Sequence, residues 1–285
     1  MSAQYREEYG AAVYLHEGVA YTPNVTPAFL EGIENFPMED GDVIVAGHPK
    51  SGTNWMDITL AHLFDHWETC KITPNRVVPE LSVPDDLDSD FQGFNKCIAA
   101  PSPRLMKTHL PYNLLPRAFR EDHVGKAIYV TRNPKDVCDS YFHNLKTVVN
   151  GDWTWEQHYE AFLRGTLFFG PWLDNVISWY ENGGDRVLRL KYEEMHIDKR
   201  GTLERIIDFV GVPVASERLD QIIRDTDFEA MKKSGMDKQY QPSMTRRQGK
   251  AGGWKTRFTV EQSERFDREL DAPLRARGIN MIYEV

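Results

Sequence analysis

Apolar and polar positions along the chain alternate between two periods. Val43-Ile44-Val45-Ala46 is a short, fully apolar run after Gly41-Asp42, which predicts a strand buried on both faces. Gly47 to Gly52 then reads as a turn. From Thr53 to Trp67 the apolar residues Trp55, Ile58, Leu60, Leu63, Phe64 and Trp67 recur at helical spacing. Arg104–His109 and Ala127–Thr131 predict two further strands. Asn133-Pro134 is a helix-start signal for a helix running to about Leu145. Helices follow near Thr154–Arg164 and Pro171–Glu181, then a strand at Val187–Leu190, then helices near Lys199–Val210 and Ser216–Asp225. A last helix is expected near Thr259–Leu270. The stripe Trp155, Tyr159, Phe162, Leu163 has helical spacing and predicts core. Pro74–Pro103, rich in proline and aspartate, reads as loop with room for one short helix. Gly235–Gly253 is a long polar stretch without periodicity. Strand–helix alternation of this kind predicts an α/β fold with a central parallel β-sheet flanked by helices. With no repeat and no linker to divide it, the 285-residue chain is read as a single domain, residues 1–285, with its core over about 42–270.

Composition narrows the function classes. A chain that is 41% hydrophobic and 12% aromatic has enough apolar surface for a packed core, which excludes general disorder. The formal net charge is −9, so no general affinity for nucleic acid or an anionic membrane is expected. An anionic ligand must then be held by a local cluster of donors. Cys70, Cys97 and Cys138 form no CxxC pair and no even set, which fits a reducing compartment. The first eighteen residues carry Glu7, Glu8 and Glu17 without an apolar stretch, no run approaches a membrane span, and the end carries no prenylation cysteine. A cytoplasmic location is the expectation.

Four segments carry chemistry. Gly47-His48-Pro49-Lys50-Ser51-Gly52-Thr53-Asn54-Trp55 lies between a strand and a helix, which gathers backbone N–H groups and a positive helix end at one point. Small residues allow close approach of a phosphate, and Lys50 adds charge. The nucleotide pattern GxxxxGK[ST] is half met: Gly47 and Gly52 are correctly spaced, but Thr53 stands at the lysine position, so neither a γ-phosphate nor Mg²⁺ is indicated. Lys107-Thr108-His109 is the second segment. A lone histidine is more often a packed side chain than a base, but neighbouring cations would favour its neutral form. Arg132-Asn133-Pro134-Lys135-Asp136 with Ser140 is the third, an arginine fork at a strand end with a hydroxyl two turns into the next helix. A salt-bridged helix start explains it as well. Arg246, Arg247 and Lys250 among Gly249, Gly252 and Gly253 form the fourth, a candidate anion-binding flap or simply a solvated basic loop. His62 and His66 have metal-ligand spacing but lack a third ligand, so no metal is expected.

Together these segments resemble the cytosolic sulfotransferase family from about Asp42 to Glu264. The family's PKSGTTW loop is matched by Pro49–Trp55, its KTHLP by Lys107–Pro111 and its RNPKDxxxSYxH by Arg132–His143. Further matches are Tyr192-Glu193-Glu194-Met195, then Thr226, Phe228, Met231 and Lys232, then Arg247-Gln248-Gly249 with Gly252-Gly253-Trp254-Lys255. The dimer signature KxxxTVxxxE is met by Lys255, Thr259, Val260 and Glu264. The resemblance implies a P-loop-like sheet and transfer of a sulfuryl group from 3′-phosphoadenosine 5′-phosphosulfate (PAPS), leaving PAP. It implies that Lys50, Ser51, Gly52, Thr53 and Asn54 hold the 5′-phosphate end. Arg132, Ser140, Arg247, Gln248 and Gly249 would hold the 3′-phosphate. Trp55 and Phe228 would sandwich adenine, with Tyr192 and Thr226 at its polar edge. His109 would remove the acceptor proton, while Lys50 and Lys107 balance developing charge. Three departures stand out: Asn54 for the second threonine, Gln248 for a lysine and His48 for an aromatic.

The acceptor expected from this resemblance is a small, largely apolar phenol, sterol, alcohol or amine, against walls that include Phe142, His143, Phe91, Phe94 and Trp153. A homodimer through Lys255–Glu264 is also implied. Two other classes compete. A nucleotide kinase or NTPase lacks its lysine after Gly52. A non-catalytic PAP-binding protein would not need Lys50, Lys107 and His109 together. A Golgi carbohydrate sulfotransferase would share the PAPS loops but normally carries an N-terminal anchor.

Overall fold

The computed structural model describes residues 4–8, 11–64, 80–82, 84, 93–146, 153–234 and 251–285. Two sheets are present. Strands β1 (Gln4–Glu8), β2 (Ala11–His16) and β3 (Val19–Tyr21) form an antiparallel meander. Strands β4 (Val43–Ala46), β5 (Leu105–Thr108), β6 (Lys126–Thr131) and β7 (Val187–Lys191) form a parallel sheet in the order β5-β4-β6-β7. All four strands of the parallel sheet lie where the apolar runs place them.

The two-residue period divides the core. Val43, Val45, Ile128, Val130 and Leu190 point to one face, against Met56, Ile58 and Leu60 of the Thr53–Leu63 helix and Leu203 and Ile206 of the Lys199–Val210 helix. Ile44, Ala46, Met106, Ala127 and Tyr129 point to the other, against Tyr14, Val19, Tyr21, Phe119 and Trp179. Covering on both faces is why these strands read as unbroken apolar runs. A third cluster joins the Pro134–Leu145, Trp155–Leu163 and Trp172–Asn182 helices through Tyr141, Phe142, Tyr159, Phe162 and Val176, and is closed by Phe266, Leu270 and Leu274. Tyr159 and Phe162 of the predicted core stripe are both buried there.

One buried ion pair fixes the lower edge of the parallel sheet. The Asp42 carboxylate accepts from the Arg104 backbone N–H at 3.0 Å and from its guanidinium, with Nη2 to Oδ2 at 2.6 Å. The Asp42 carbonyl accepts from Lys126 N at 2.9 Å. The starts of β4, β5 and β6 are thereby aligned, which sets where their other ends emerge.

The helices Arg117–Arg120, Glu194–Ile197 and Phe228–Ser234 are not predicted by the apolar spacing. The C-terminal helix expected over Thr259–Leu270 is α-helical only at Val260–Phe266, passes into a π-helical turn at Asp267–Asp271 and returns to α at Ala272–Arg275. The N-terminal meander and the Pro27–Glu34 helix, with its Thr26 cap, were not anticipated. Residues 235–250 and 65–67, the end of the Thr53–Trp67 segment, fall outside the described residues; the helix there spans Thr53–Leu63. No helix among the described residues is long and apolar enough to cross a membrane.

Candidate active site

Four residues of these motifs stand one residue past the C-terminal end of a parallel strand: Gly47 after β4, His109 after β5, Arg132 after β6 and Tyr192 after β7. Because β5 and β6 lie on opposite sides of β4, the chain order reverses at β4, and that end of the sheet opens a crevice. Gly47 N donates to Thr108 O at 3.3 Å and Tyr192 N to Thr131 O at 2.7 Å, so neighbouring ends are tied across the sheet.

The turn after β4 is held by backbone constraints. A Cβ on Gly47 would lie 2.4 Å from the Val130 carbonyl oxygen. Gly52 has φ +102°, and a Cβ there would lie 2.4 Å from the Tyr192 ring. Lys50 adopts the left-handed region at φ +71°. This geometry leads into the Thr53–Leu63 helix, whose first N–H groups have no intrahelical acceptors. Ser51 is fully buried, and its Oγ has no hydrogen-bond partner among the described residues. A helix N-terminus, an unpaired buried hydroxyl and two positions that tolerate no side chain together fit the phosphate end of an anionic nucleotide. Thr53 is nearly buried at the first helical position.

Lys50 Nζ donates to Asn144 Oδ1 at 2.9 Å. Lys107, 1% exposed, sits among Glu80 Oε2 at 3.1 Å, Asn54 Oδ1 at 3.3 Å and Asp57 Oδ2 at 3.9 Å. The Asn54 amide therefore turns its oxygen toward this lysine. His109 Nδ1 lies 2.6 Å from the Gly47 carbonyl oxygen. Its backbone carbonyl accepts from Asn175 Nδ2 at 3.1 Å, and Asn175 Oδ1 accepts from the Tyr129 hydroxyl at 2.9 Å. The Phe169 ring packs edge-on at 5.0 Å. His48 is buried behind this histidine, 3.3 Å from the Gly170 carbonyl oxygen through Nε2, and burial pushes its pKa down to about 3. It is neutral at physiological pH.

Arg132 reaches back to the turn: Nη1 donates to Lys50 O at 3.3 Å, and the guanidinium lies 4.5 Å over the Tyr192 ring. Asn133 caps the Pro134–Leu145 helix, and Ser140 is part-exposed two turns along it. Trp55 meets Tyr192 edge-on at 5.6 Å and donates from Nε1 to Thr226 O at 2.8 Å. Phe228 opens the next helix, part-exposed, two residues beyond the buried Thr226. Lys50, Arg132, Tyr192, Trp55 and Thr226 are thus linked in one chain of contacts.

Arg247, Gln248 and Gly249 lie outside the described residues, as do Phe91 and His66. The backbone just beyond that loop is tied to the site: Gly252 N and Trp254 N donate to the Asp136 carboxylate at 2.7 and 3.0 Å. Four of the expected acceptor walls, Phe142, His143, Phe94 and Trp153, lie among the described residues. Phe142 is a core residue of the third cluster, against Trp155 and His158. His143 Nε2 is 2.7 Å from Arg257 Nη2. Phe94 packs on Phe29 and Phe36 in the second cluster, and Trp153 Nε1 donates to His158 Nδ1 at 3.4 Å. Glu80, Asn144, Phe169 and Glu193 were missed. Among the described residues no group of His, Cys, Asp and Glu could hold a metal ion.

A model of the sulfotransferase domain matches residues 40–276. Sulfotransferase 1B1 of Mus musculus is 38% identical over 256 residues, 83% of this chain and 84% of that one. Sulfotransferase 1C2 of Homo sapiens is 32% identical over 270 residues, 89% and 90% of the two chains. Among solved structures, a mouse sulfotransferase complexed with PAP superposes with a TM-score of 0.75 at 28% identity, covering 94% of this chain and 95% of that one. A retinol dehydratase at 22% identity and the same TM-score shares the fold. Matches of this extent, over a chain that gathers its anion cradle, buried lysine and histidine at one sheet edge, place the protein in the sulfotransferase family, as a PAPS-dependent sulfotransferase.

Proposed function

We propose that the chain transfers the sulfuryl group of PAPS to the hydroxyl or amine of a small, largely apolar acceptor such as a phenol, sterol or alcohol, with His109 as general base. The observation that carries this reading is the 2.6 Å contact between His109 Nδ1 and the Gly47 carbonyl oxygen. A carbonyl only accepts, so the ring proton resides on Nδ1 and Nε2 keeps its lone pair. The base is therefore tied by hydrogen bond to the first residue of the phosphate-type turn.

PAPS supplies an activated sulfuryl group on a phosphate leaving group. The Ser51–Asn54 backbone and the Ser51 and Thr53 hydroxyls are the donors for its 5′ end, and Lys50 offsets negative charge on the departing oxygen. Arg132 and Ser140, with Arg247, Gln248 and Gly249, are assigned to the 3′-phosphate. Trp55, Tyr192, Thr226 and Phe228 are assigned to adenine. At the acceptor, the O–H bond breaks and its proton passes to His109 Nε2. The acceptor oxygen bonds sulfur as the sulfur–phosphate oxygen bond breaks, so PAP leaves. The residues act by positioning and electrostatics, as in phosphoryl transfer. The mouse relative's structure holds PAP, which supports the donor assignment.

A homodimer through Lys255, Thr259, Val260 and Glu264 belongs to the same reading. All four side chains are exposed, Val260 at 77%. We read the chain as one sulfotransferase domain, on the strength of the match over residues 40–276, and place it in the cytoplasm. The deciding experiment compares thermal stabilisation by PAP, AMP and ATP. A large shift with PAP alone supports the 3′-phosphate site. Equal shifts with AMP or ATP, or none, would overturn it and reopen the kinase alternative.

A further inference from the structure

Glu80 lies outside every motif, yet it is buried at 3% exposure beside Nε2 of the proposed base. It reaches that position through an edge extension of the parallel sheet: Glu80 bridges Lys107 in parallel register, and Leu81 N donates to Lys107 O at 2.8 Å. Its two oxygens face different nitrogens. Oε2 is 3.1 Å from Lys107 Nζ, and Oε1 is 4.0 Å from His109 Nε2. Ser82 Oγ donates to Oε1 at 3.2 Å and accepts from the His109 backbone N–H at 3.3 Å. The carboxylate is therefore held from three sides.

The 4.0 Å gap matters chemically. It is too long for a hydrogen bond, so Glu80 itself does not bond the Nε2 lone pair. It is short enough for strong attraction once Nε2 carries a proton. A carboxylate in this place is mildly repelled by the neutral ring and attracted by the imidazolium, so it favours the product of proton transfer. Two further titratable groups among the described residues lie near this pair, Lys107 and His48. Lys107 is itself shared between Glu80 and Asp57, at 3.1 and 3.9 Å, and His48 is neutral. From the Trp172–Asn182 helix, the uncharged Asn175 donates to the His109 carbonyl.

We propose that Glu80 is a positioning residue that sets the proton affinity of His109 and, through Ser82, the place of its backbone. This rests on the reading of His109 as the general base. It also gives Lys107 a second role, as the partner that keeps Glu80 ionised and fixed.

The test is Glu80→Gln, which keeps shape and removes charge. In the PAP complex, the His109 imidazole is titrated by NMR, and kcat/KM is measured against pH. In the variant, the His109 pKa and the acid limb of the profile are expected about one pH unit lower, as for loss of a close opposite charge. The plateau also falls, because the base is weaker. PAP affinity stays within about twofold, since Glu80 meets no group assigned to the nucleotide except through Lys107. An unchanged His109 pKa would overturn the proposal. Should the glutamine variant not fold, Glu80→Asp retains the charge at a longer distance and must give a smaller shift in the same direction; no shift overturns the proposal equally. Failure of PAP to bind the unaltered protein, or full activity of His109→Ala, would instead count against the underlying function.

Discussion

His109 donates from Nδ1 to the carbonyl oxygen of Gly47 at 2.6 Å, joining the end of β5 to the end of β4. The bond selects one tautomer and aims Nε2 away from the turn. His109→Ala should lower turnover by about 10²–10⁴-fold, the usual contribution of a positioned general base. PAP binding should persist, because the phosphate donors belong to other residues. Calorimetric titration with PAP beside an acceptor assay checks both halves. Normal turnover would remove His109 from the mechanism.

Gly52 carries the most exacting backbone position in the turn. An alanine there would place its Cβ 2.4 Å from Tyr192 Cδ2 while holding φ at +102°. The positive φ alone costs of order 1–3 kcal/mol in a residue with a Cβ. Relief of the clash must also displace a ring that packs on Trp55 and under Arg132. Gly52→Ala should therefore lower the melting temperature and abolish PAP binding together. Retained PAP affinity would show that this approach is not needed for the nucleotide.

The parallel sheet and its motifs were legible because one local pattern encodes both. Val43–Ala46 is an unbroken apolar run because both faces are covered, and the residues after such a strand are those at the crevice. The Lys199–Val210 and Ser216–Asp225 helices were legible to the residue through their apolar stripes. Glu80 was not legible. It lies in a proline-rich, acidic stretch with no period, and only a tertiary bridge to Lys107 gives it meaning. The π-helical turn at Asp267–Asp271 was hidden for another reason: one extra residue in a turn barely changes the apolar spacing that predicts a helix. Phe142, two residues after Ser140, lies on the packed side of the same helix, a placement that only the tertiary fold shows.

His48 supplies an acid-sensitive term. Its folded pKa is near 3, below the ordinary 6.5, because burial disfavours the charged ring. The unfolded chain therefore takes up the proton first as pH falls. The stabilisation is present above 6.5 and is lost progressively from 6.5 toward 3, at up to roughly 1.4 kcal/mol per pH unit. His158, also lowered to about 3 by burial, adds in the same window. His48→Phe keeps the ring contacts to Tyr141 and Phe162 but cannot titrate. Its melting temperature should fall less than that of the unaltered protein between pH 7 and 5. Equal slopes would mean that the His48 pKa is not depressed.

Val260 stands 77% exposed just inside the capped start of the Val260–Phe266 helix, with Lys255, Thr259 and Glu264 exposed beside it. Val260→Glu should convert a homodimer to a monomer by light scattering at micromolar concentration while leaving kcat unchanged. A monomeric unaltered protein would remove the interface.

Glu193 titrates in the opposite sense to His48. It is fully buried, its Oε1 accepts from Asn133 N at 3.1 Å and from Asn133 Nδ2 at 3.0 Å, and its Oε2 has no hydrogen-bond partner among the described residues. Burial raises its pKa to about 7 from 4.5, more than the Asn133 bonds and Arg132 lower it. A raised folded pKa means that its contribution is fully present below 4.5 and is lost as pH rises to about 7. At roughly 1.4 kcal/mol per unit of pKa difference, the whole loss is about 3 kcal/mol. Glu193→Gln keeps an acceptor for Asn133 and removes the charge. The stability of the variant relative to the unaltered protein should climb between pH 4.5 and 7 and level off above, as read from urea midpoints across pH. A difference that stays flat through that range would show that the carboxyl ionises normally. The Asn133 hydrogen bonds and the Arg132 charge would then offset the cost of burial.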